Sequence, residues 1–331
     1  MPGGVETMLI DIINQQLRTE EVSLIIVNND IDSGLYNSIN KDCHIVCCNR
    51  VRKSKSFLPW IKLNFSLIKH RPDIIHCHLE GLRKMIFYPA PKVFTIHNTH
   101  TSGKEYKKFD ALYSISQAVH DVTLSQGFFS TIVHNGIHPE AIVPQTEIKE
   151  PKRVIRMVCI GRLYTPHKGQ DLLIEALSML DDRHEYHLDL IGDGPSRKEL
   201  ELLVNNKNLC GKVTFLGSKD RGYIYGNLSK YDLFVQPSRL EGFGLTVAEA
   251  CCAKVPVLIS DLCGPMEIIN NEYGYTFKAG DVNDLSLTLN HIFNCGISRD
   301  FITDAYNYVS THFNVERTSL KYIEEYKKQL M

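Results

Sequence analysis

The stretch Glu241-Gly-Phe-Gly-Leu-Thr-Val-Ala-Glu249 decides the fold, because it joins a buried strand to a helix through a glycine-rich turn. The preceding run, Asp232-Leu-Phe-Val-Gln-Pro-Ser, predicts a parallel strand that ends at a proline, and residues 246–252 are rich in helix formers. Glu241 should therefore lie in the loop and Glu249 one to two turns into the helix. This strand, loop and helix are typical of an open α/β sheet.

The same turn predicts a binding site for an anion. The amides of Phe243, Gly244 and Leu245 would open the helix, where N–H groups without helical partners and the helix dipole favour an anion such as a diphosphate. Gly242 and Gly244 would let the backbone approach that anion closely.

A second loop of the same kind carries two cations. The apolar run from Val154 to Ile160 predicts a strand, and Gly161-Arg162-Leu-Tyr-Thr-Pro-His-Lys168 follows it. Open α/β sheets bind their ligands at the carboxyl ends of the strands. We therefore predict that Gly161, Arg162 and Lys168 contact the anionic ligand, although taken singly they would be ordinary surface residues.

Short β-branched runs alternate with amphipathic segments along 331 residues, which predicts two domains of parallel sheets covered by helices. A polar segment at 139–153 would link the domains, which we place at 1–143 and 151–314. The predicted strands are 22–28, 44–49, 73–78, 92–98, 111–116 and 130–135 in the first domain, and 154–160, 187–192, 213–216, 233–236 and 257–260 in the second.

Composition argues against several classes of protein. The formal net charge is -1, which gives no electrostatic case for binding nucleic acid. The ten cysteines form no Cys-x-x-Cys pair, which indicates reduced residues of a cytoplasmic protein and makes a zinc site improbable. No run of about 18 apolar residues predicts a membrane span. The pair Asp30 and Asp32 is interpreted as turn chemistry and not as a metal site.

Several motifs in order resemble the retaining glycosyltransferases of family 4, which have the GT-B fold. Their E-x7-E signature matches Glu241 and Glu249, and the Arg162 and Lys168 loop is similar to their diphosphate-binding loop. The remaining matches, in chain order, are Gly3-Gly4-Val-Glu6, Asp73-Ile-Ile-His76-Cys-His78, Thr95-Ile-His97, Asn135-Gly136 and Ser260-Asp261-Leu-Cys263-Gly264. The resemblance covers nearly the whole chain and implies two Rossmann-like domains that face each other across a cleft.

The resemblance also implies the chemistry. A sugar would move from a nucleoside-diphosphate donor, a UDP- or GDP-sugar, to an acceptor saccharide without a metal or other cofactor. Arg162 and Lys168 would hold the leaving diphosphate, Glu241 the sugar hydroxyls and Glu249 the ribose hydroxyls. Retention would come from attack on the face that the diphosphate leaves, with the leaving phosphate taking the acceptor's proton.

The first domain would bind the acceptor, and a terminal helix at 315–331 would pack back onto it. His97 should project from the end of its strand beside the transferred sugar, without acting as a general base. Gly4 is assigned to the donor-binding positions. We expect His76 and His78 on opposite sides of their strand, so that only His78 reaches the acceptor.

A basic segment at 50–71 leaves two interpretations open. Its cations interleave with aromatic and aliphatic residues, and no acidic residue occurs from 43 to 72. It could lie on an anionic membrane at the inner face of the cell, which would suit a lipid-linked acceptor in envelope or capsular polysaccharide synthesis. It could equally be a core-facing helix with a solvated cationic side.

Two other functions stay open at this stage, a nucleotide-sugar epimerase of the same architecture and a non-catalytic nucleotide-sugar-binding partner subunit. One structural expectation also follows from the first domain. In the Rossmann strand order, Gly3-Gly4 should follow a central strand lying between 22–28 and 73–78. Only Met1 and Pro2 precede these glycines. We therefore expect that position in the sheet to be vacant and the working protein to begin with a further strand upstream.

Overall fold

The computed structural model describes residues 4–100, 103–146, 154–181 and 183–331, and the chain divides into two compact units. The first unit contains the residues up to Gly136 together with Val315–Met331, and the second contains Ile137–Asn314. The terminal helix therefore belongs to the first unit.

The first unit contains two parallel sheets. The strand β1 (Ser23–Asn28) pairs with β2 (His44–Arg50), with Ser23 opposite His44. A separate four-stranded sheet has the order β3-β4-β5-β6. Its strands are β3 (Ile75–Cys77), β4 (Lys92–Ile96), β5 (Ala111–Ser114) and β6 (Thr131–Ile132).

The two sheets of the first unit share no strand pairing in the part of the chain that the structure describes. Within the described residues, β1 pairs with β2 alone and β3 pairs with β4 alone. These are the two strands that the sequence analysis places on either side of a vacant central position. Gly3 lies outside the described residues, and Gly4 begins the first helix.

Helices cover these sheets. The terminal helix packs on the first helix, and its Tyr322 hydroxyl lies 3.0 Å from Thr95 Oγ1 at the end of β4. The helices of the first unit are α1 (Gly4–Gln16), α2 (Ser33–Asn37), α3 (Leu58–His70), α4 (Gln117–Ser125) and α13 (Val315–Leu330).

The second unit is built on one six-stranded parallel sheet of order β12-β11-β10-β7-β8-β9. Its central strands are buried on both faces, which is why they are nearly continuous apolar runs. The strands are β7 (Ile155–Ile160), β8 (Tyr186–Ile191), β9 (Val213–Gly217), β10 (Leu233–Gln236), β11 (Val257–Ser260) and β12 (Tyr275–Phe277).

The helices of the second unit follow the strands in turn and cover the sheet. They are α5 (Thr165–Lys168), α6 (Gln170–Leu177), α7 (Arg197–Asn206), α8 (Arg221–Asn227), α9 (Leu245–Cys252), α10 (Cys263–Ile268), α11 (Val282–Cys295) and α12 (Ile302–His312).

The segment predicted as a linker is only partly described, because 147–153 lie outside the described residues. The described part is hydrogen-bonded to the second unit. The Val143 amide donates to the Tyr225 carbonyl at 3.1 Å, and the Gln145 amide donates to the Ala253 carbonyl at 3.0 Å. Residues 143–145 are therefore fixed to the second unit and do not form a free tether.

Candidate functional site

The loops after β7 and β10 bring two predicted site residues together. The Lys168 ammonium donates to Glu241 Oε2 at 2.5 Å, and both side chains are partly shielded from solvent. The two residues are 73 positions apart in the chain. They meet because β7 and β10 are adjacent parallel strands, so their carboxyl ends lie at one edge of the sheet.

A glutamine that the sequence analysis did not single out completes this pair. The Gln236 amide Nε2 donates to Glu241 Oε2 at 3.0 Å, and its Oε1 accepts from the Thr246 hydroxyl at 3.0 Å. Gln236 is buried at the end of β10. The sequence signal that could have found Gln236 is its position as the polar last residue of an apolar strand, Leu-Phe-Val-Gln.

Arg239 links the loop after β10 to the segment after β7 through hydrogen bonds. Its guanidinium forms a bidentate pair with the Asp171 carboxylate at 2.7 Å and also donates to the Thr165 carbonyl at 2.8 Å. The amides of Arg239 and Leu240 both donate to the His167 carbonyl, at 2.8 and 3.0 Å. Since His167 precedes Lys168, these bonds fix the backbone from which the Lys168 ammonium reaches Glu241.

Glycines allow the loop after β7 to approach the loops after β10 and β8 closely. Gly169 has φ 62°, and a Cβ there would lie 1.9 Å from the Pro237 carbonyl oxygen. A Cβ on Gly192, at the end of β8, would lie 2.0 Å from the Gly161 carbonyl oxygen. Side chains at these positions would force the loops apart.

The helix that carries the second glutamate begins where it was predicted to within one residue. Gly244, at φ 108°, is the N-cap of α9, so the helix opens at Leu245. Phe243 precedes it and is buried against Phe313, with ring centroids 5.5 Å apart. Glu249 is only 7% exposed, so it is not the solvated helix residue that its spacing alone would suggest.

Arg162 stands apart from this network. Its side chain is exposed, and the guanidinium carbon lies 5.8 Å from the centroid of the Tyr164 ring. No carboxylate in the described part of the chain pairs with it. The site in the second unit therefore contains one cation paired with Glu241 and a second cation open to solvent.

The first unit holds a separate group of predicted site residues. His97, which follows β4, has Nε2 at 3.0 Å from Nδ1 of His78. Its other nitrogen, Nδ1, is buried and has no hydrogen-bond partner within the described residues. Burial lowers the pKa of His97 to about 4, so the imidazole is neutral near pH 7.

The expectation that His76 and His78 lie on opposite sides of β3 is wrong. Their ring centroids are 4.1 Å apart, because residues two positions apart on a strand point to the same face. His76 is held by the Tyr326 hydroxyl at 2.5 Å and by Thr95 Oγ1 at 2.7 Å. Burial, and secondarily the proximity of His97, lowers the pKa of His76 to about 3.

Three of the remaining predictions concern other parts of the chain. Gly4 begins α1 and is exposed. All ten cysteines have free thiols, and no cluster of three or more His, Cys, Asp or Glu side chains within the described ranges could hold a metal ion. None of the described helices is both long enough and apolar enough to cross a membrane.

Two family models match the chain, one over each half. The family model for glycosyl transferases group 1 matches residues 140–307, slightly more than half of the chain. The model for glycosyltransferase family 4 matches residues 2–141.

Individual relatives agree with this result. An uncharacterized glycosyltransferase of Methanocaldococcus jannaschii is 30% identical over 241 residues, 60% of this chain and 60% of the relative. The phosphatidylinositol N-acetylglucosaminyltransferase GPI3 subunit of Saccharomyces cerevisiae is 26% identical over 179 residues, 54% of this chain and 39% of the relative. The chain thus spans 60% and 39% of the length of these two relatives, in each case less than two thirds.

Solved structures extend the comparison to the whole fold. The structure of Anabaena HepE in complex with UDP and glucose has a TM-score of 0.82 at 19% identity, and covers 99% of this chain and 97% of HepE. The predicted fold, two α/β domains with parallel sheets as in GT-B glycosyltransferases, is confirmed. On these matches and the geometry above, the chain belongs to the glycosyl transferases group 1 family.

Proposed function

We propose that the chain is a metal-independent, retaining glycosyltransferase that moves a sugar from a UDP- or GDP-sugar to a lipid-linked saccharide during cytoplasmic assembly of an envelope or capsular polysaccharide. The observation that carries the proposal is the Lys168 to Glu241 pair, closed by Gln236, beside the start of α9. The pair lies at the carboxyl edge of a parallel sheet, where open α/β sheets bind their ligands.

The donor would bind to the second unit. Lys168 and Arg162 would neutralise the diphosphate, assisted by the amides at the start of α9. Glu241, whose Oε2 is held by Lys168 and Gln236, would accept hydrogen bonds from sugar hydroxyls. The buried carboxylate of Glu249 would accept hydrogen bonds from the ribose hydroxyls. The complex of the similarly folded HepE with UDP and glucose supports a donor of this class.

In the transfer step, the bond between the anomeric carbon and the phosphate oxygen breaks while the acceptor oxygen bonds to that carbon on the same face. The acceptor's proton passes to the departing phosphate oxygen. His97 would lie beside the transferred sugar. A group with a pKa of about 4 is a weak base at neutral pH, which supports a binding role and not proton abstraction.

The lipid-linked acceptor is supported by one relative. The yeast GPI3 subunit is named as part of a phosphatidylinositol N-acetylglucosaminyltransferase, and phosphatidylinositol is a lipid. We therefore expect the acceptor of this chain to carry a lipid as well. A panel of lipid-linked and free saccharides separates this expectation from transfer to a soluble sugar.

The test is transfer and donor hydrolysis by the full chain with UDP- and GDP-sugars in excess EDTA. Lys168→Ala should lower turnover by about 100-fold, the scale for losing one preorganised group at a developing charge. Lys198→Ala, at an exposed lysine on α7, is the matched control and should keep full activity. Wild-type turnover by a folded Lys168→Ala protein, or a loss in EDTA that Mg²⁺ or Mn²⁺ restores, would contradict the proposal. The anomeric configuration of the product decides retention.

A further inference from the structure

One face of α3 exposes large apolar side chains to solvent. Leu58, Ile61, Phe65 and Ile68 are 72, 64, 67 and 61% exposed, and the preceding Phe57 is 73% exposed. Their spacing along the chain is three, four and three residues, which places them on one side of the helix. A surface helix ordinarily turns its polar side to water, so this face lacks the usual arrangement.

The opposite side of α3 already supplies the contact with the protein core. Pro59, Leu63, Ser66 and Leu67 are buried there, and the helix packs on β2 and β1. The exposed apolar stripe is therefore additional to the core-facing side. The interpretation of 50–71 as a core-facing helix with a solvated cationic side does not account for it.

The apolar surface continues beyond the helix. The Phe87 amide donates to the Asn64 side chain at 2.8 Å, which fixes Phe87 beside α3. The Phe87 side chain is 76% exposed. Six large apolar side chains, five of them aligned with the helix, thus share this surface, whereas singly scattered exposed residues would need no explanation.

Exposed cations lie at both ends of α3 and along it. None of them forms an ion pair with a carboxylate within the described ranges, and the Lys62 ammonium donates to the Cys47 carbonyl at 2.6 Å. No acidic residue occurs from 43 to 72. The exposed cations are Arg52, Lys53, Lys55, Lys62, Lys69 and Arg71. We call these cations and the six apolar side chains the α3 surface.

We propose that the α3 surface docks the chain on an anionic lipid bilayer. A helix with exposed apolar residues and flanking cations lies in the plane of such a bilayer, with the apolar side chains below the headgroups and the cations among them. A second copy of the chain is the poorer occupant, because symmetric pairing would bring the same cations against each other. This docking requires no nucleotide or acceptor, so it stands or falls separately from the proposed transfer activity.

The native chain contains its own reporter. Trp60 is the single tryptophan, and it lies within α3, where the Arg50 guanidinium carbon is 5.1 Å from the centroid of its ring. Vesicles of 70% phosphatidylcholine and 30% phosphatidylglycerol, with brominated acyl chains, should quench its fluorescence. Quenching should weaken in pure phosphatidylcholine and in high salt. Unchanged emission at saturating anionic vesicle would overturn the proposal.

Substitutions on the surface sharpen the test. Ile61→Ser with Phe65→Ser should lower the vesicle partition coefficient at least about tenfold, and each of Lys55→Gln and Lys69→Gln about fivefold. Phe129→Ser is the control, because Phe129 is 74% exposed in the same unit but lies outside the α3 surface. Equal partitioning of all these proteins would overturn the proposal. So would a wild-type dimer that the Ile61 and Phe65 changes dissociate without changing vesicle binding.

Discussion

Replacing Gly169 with alanine should destabilise the second unit and displace Lys168 from Glu241. Gly169 has φ 62°, and the added Cβ would lie 1.9 Å from a backbone oxygen of Pro237, which cannot rotate away. The left-handed conformation costs an alanine about 1 to 2 kcal/mol, and forcing an atom into a filled space costs roughly 1 to 3 kcal/mol more. We therefore expect a total loss of about 2 to 5 kcal/mol in the free energy of unfolding.

Gly280→Ala separates the two contributions. Gly280 has φ 79° in the same unit, and its Cβ would meet no atom within 4 Å. It should lose only the conformational term of about 1 to 2 kcal/mol. Urea unfolding followed by circular dichroism gives both free energies. Trp60 fluorescence follows the first unit in the same experiment, because that unit holds the single tryptophan.

The functional consequence is measured on the same proteins. Moving the loop that carries Lys168 by about 1 Å should lower turnover by up to about 100-fold in Gly169→Ala, whereas Gly280→Ala should transfer sugar normally. If Gly169→Ala were no less stable than Gly280→Ala and equally active, the close approach of the two loops would not be what positions Lys168.

Three further predictions concern the two sites. Glu249→Gln should weaken calorimetric binding of both the nucleoside diphosphate and the sugar donor, whereas Glu241→Gln should weaken the sugar donor selectively; equal losses for both ligands would show that the roles are misassigned. Arg239→Lys keeps the charge but loses the bidentate geometry, so turnover should fall about tenfold with unchanged acceptor binding, and unaltered turnover would refute its positioning role. Burial lowers the pKa of His97 from 6.5 to about 4, so the unfolded chain binds more protons between those pH values. Stability present above pH 6.5 should therefore be lost as pH falls toward 4, by at most about 1.4 kcal/mol per pH unit, and Trp60 fluorescence in urea should show a flatter pH profile for His97→Asn.

The central strands could be predicted because burial on both faces leaves a signal in the sequence. The bounds of β10 and β11 match the predicted 233–236 and 257–260, since each is an uninterrupted apolar run before a turn. The strand β12 was missed. It has three residues at the edge of the sheet, with Thr276 exposed, so neither length nor hydrophobicity marks it.

For the site too, features set by neighbouring residues in the chain could be predicted, whereas contacts between distant residues could not. The sequence is sufficient to place Lys168 and Glu241 at the carboxyl edge of the sheet, because each follows a recognisable strand. Their direct pairing depends on β7 and β10 being neighbours, which strand periodicity cannot specify. The role of Arg239 could not be predicted for the same reason, because its partner Asp171 lies 68 residues away in the chain.

The prediction for His76 in β3 and His78 just after it failed for a different reason. Their positions held enough information, since a period of two places His76 and His78 on one face, but the expectation assigned them to opposite faces. On that shared face, the two histidines have different hydrogen-bond partners. His76 is tied to Thr95 and to Tyr326 on the terminal helix, whereas His78 pairs with His97. The terminal helix therefore supports the strand end that carries His97 through the contacts of Tyr326 with His76 and of Tyr322 with Thr95.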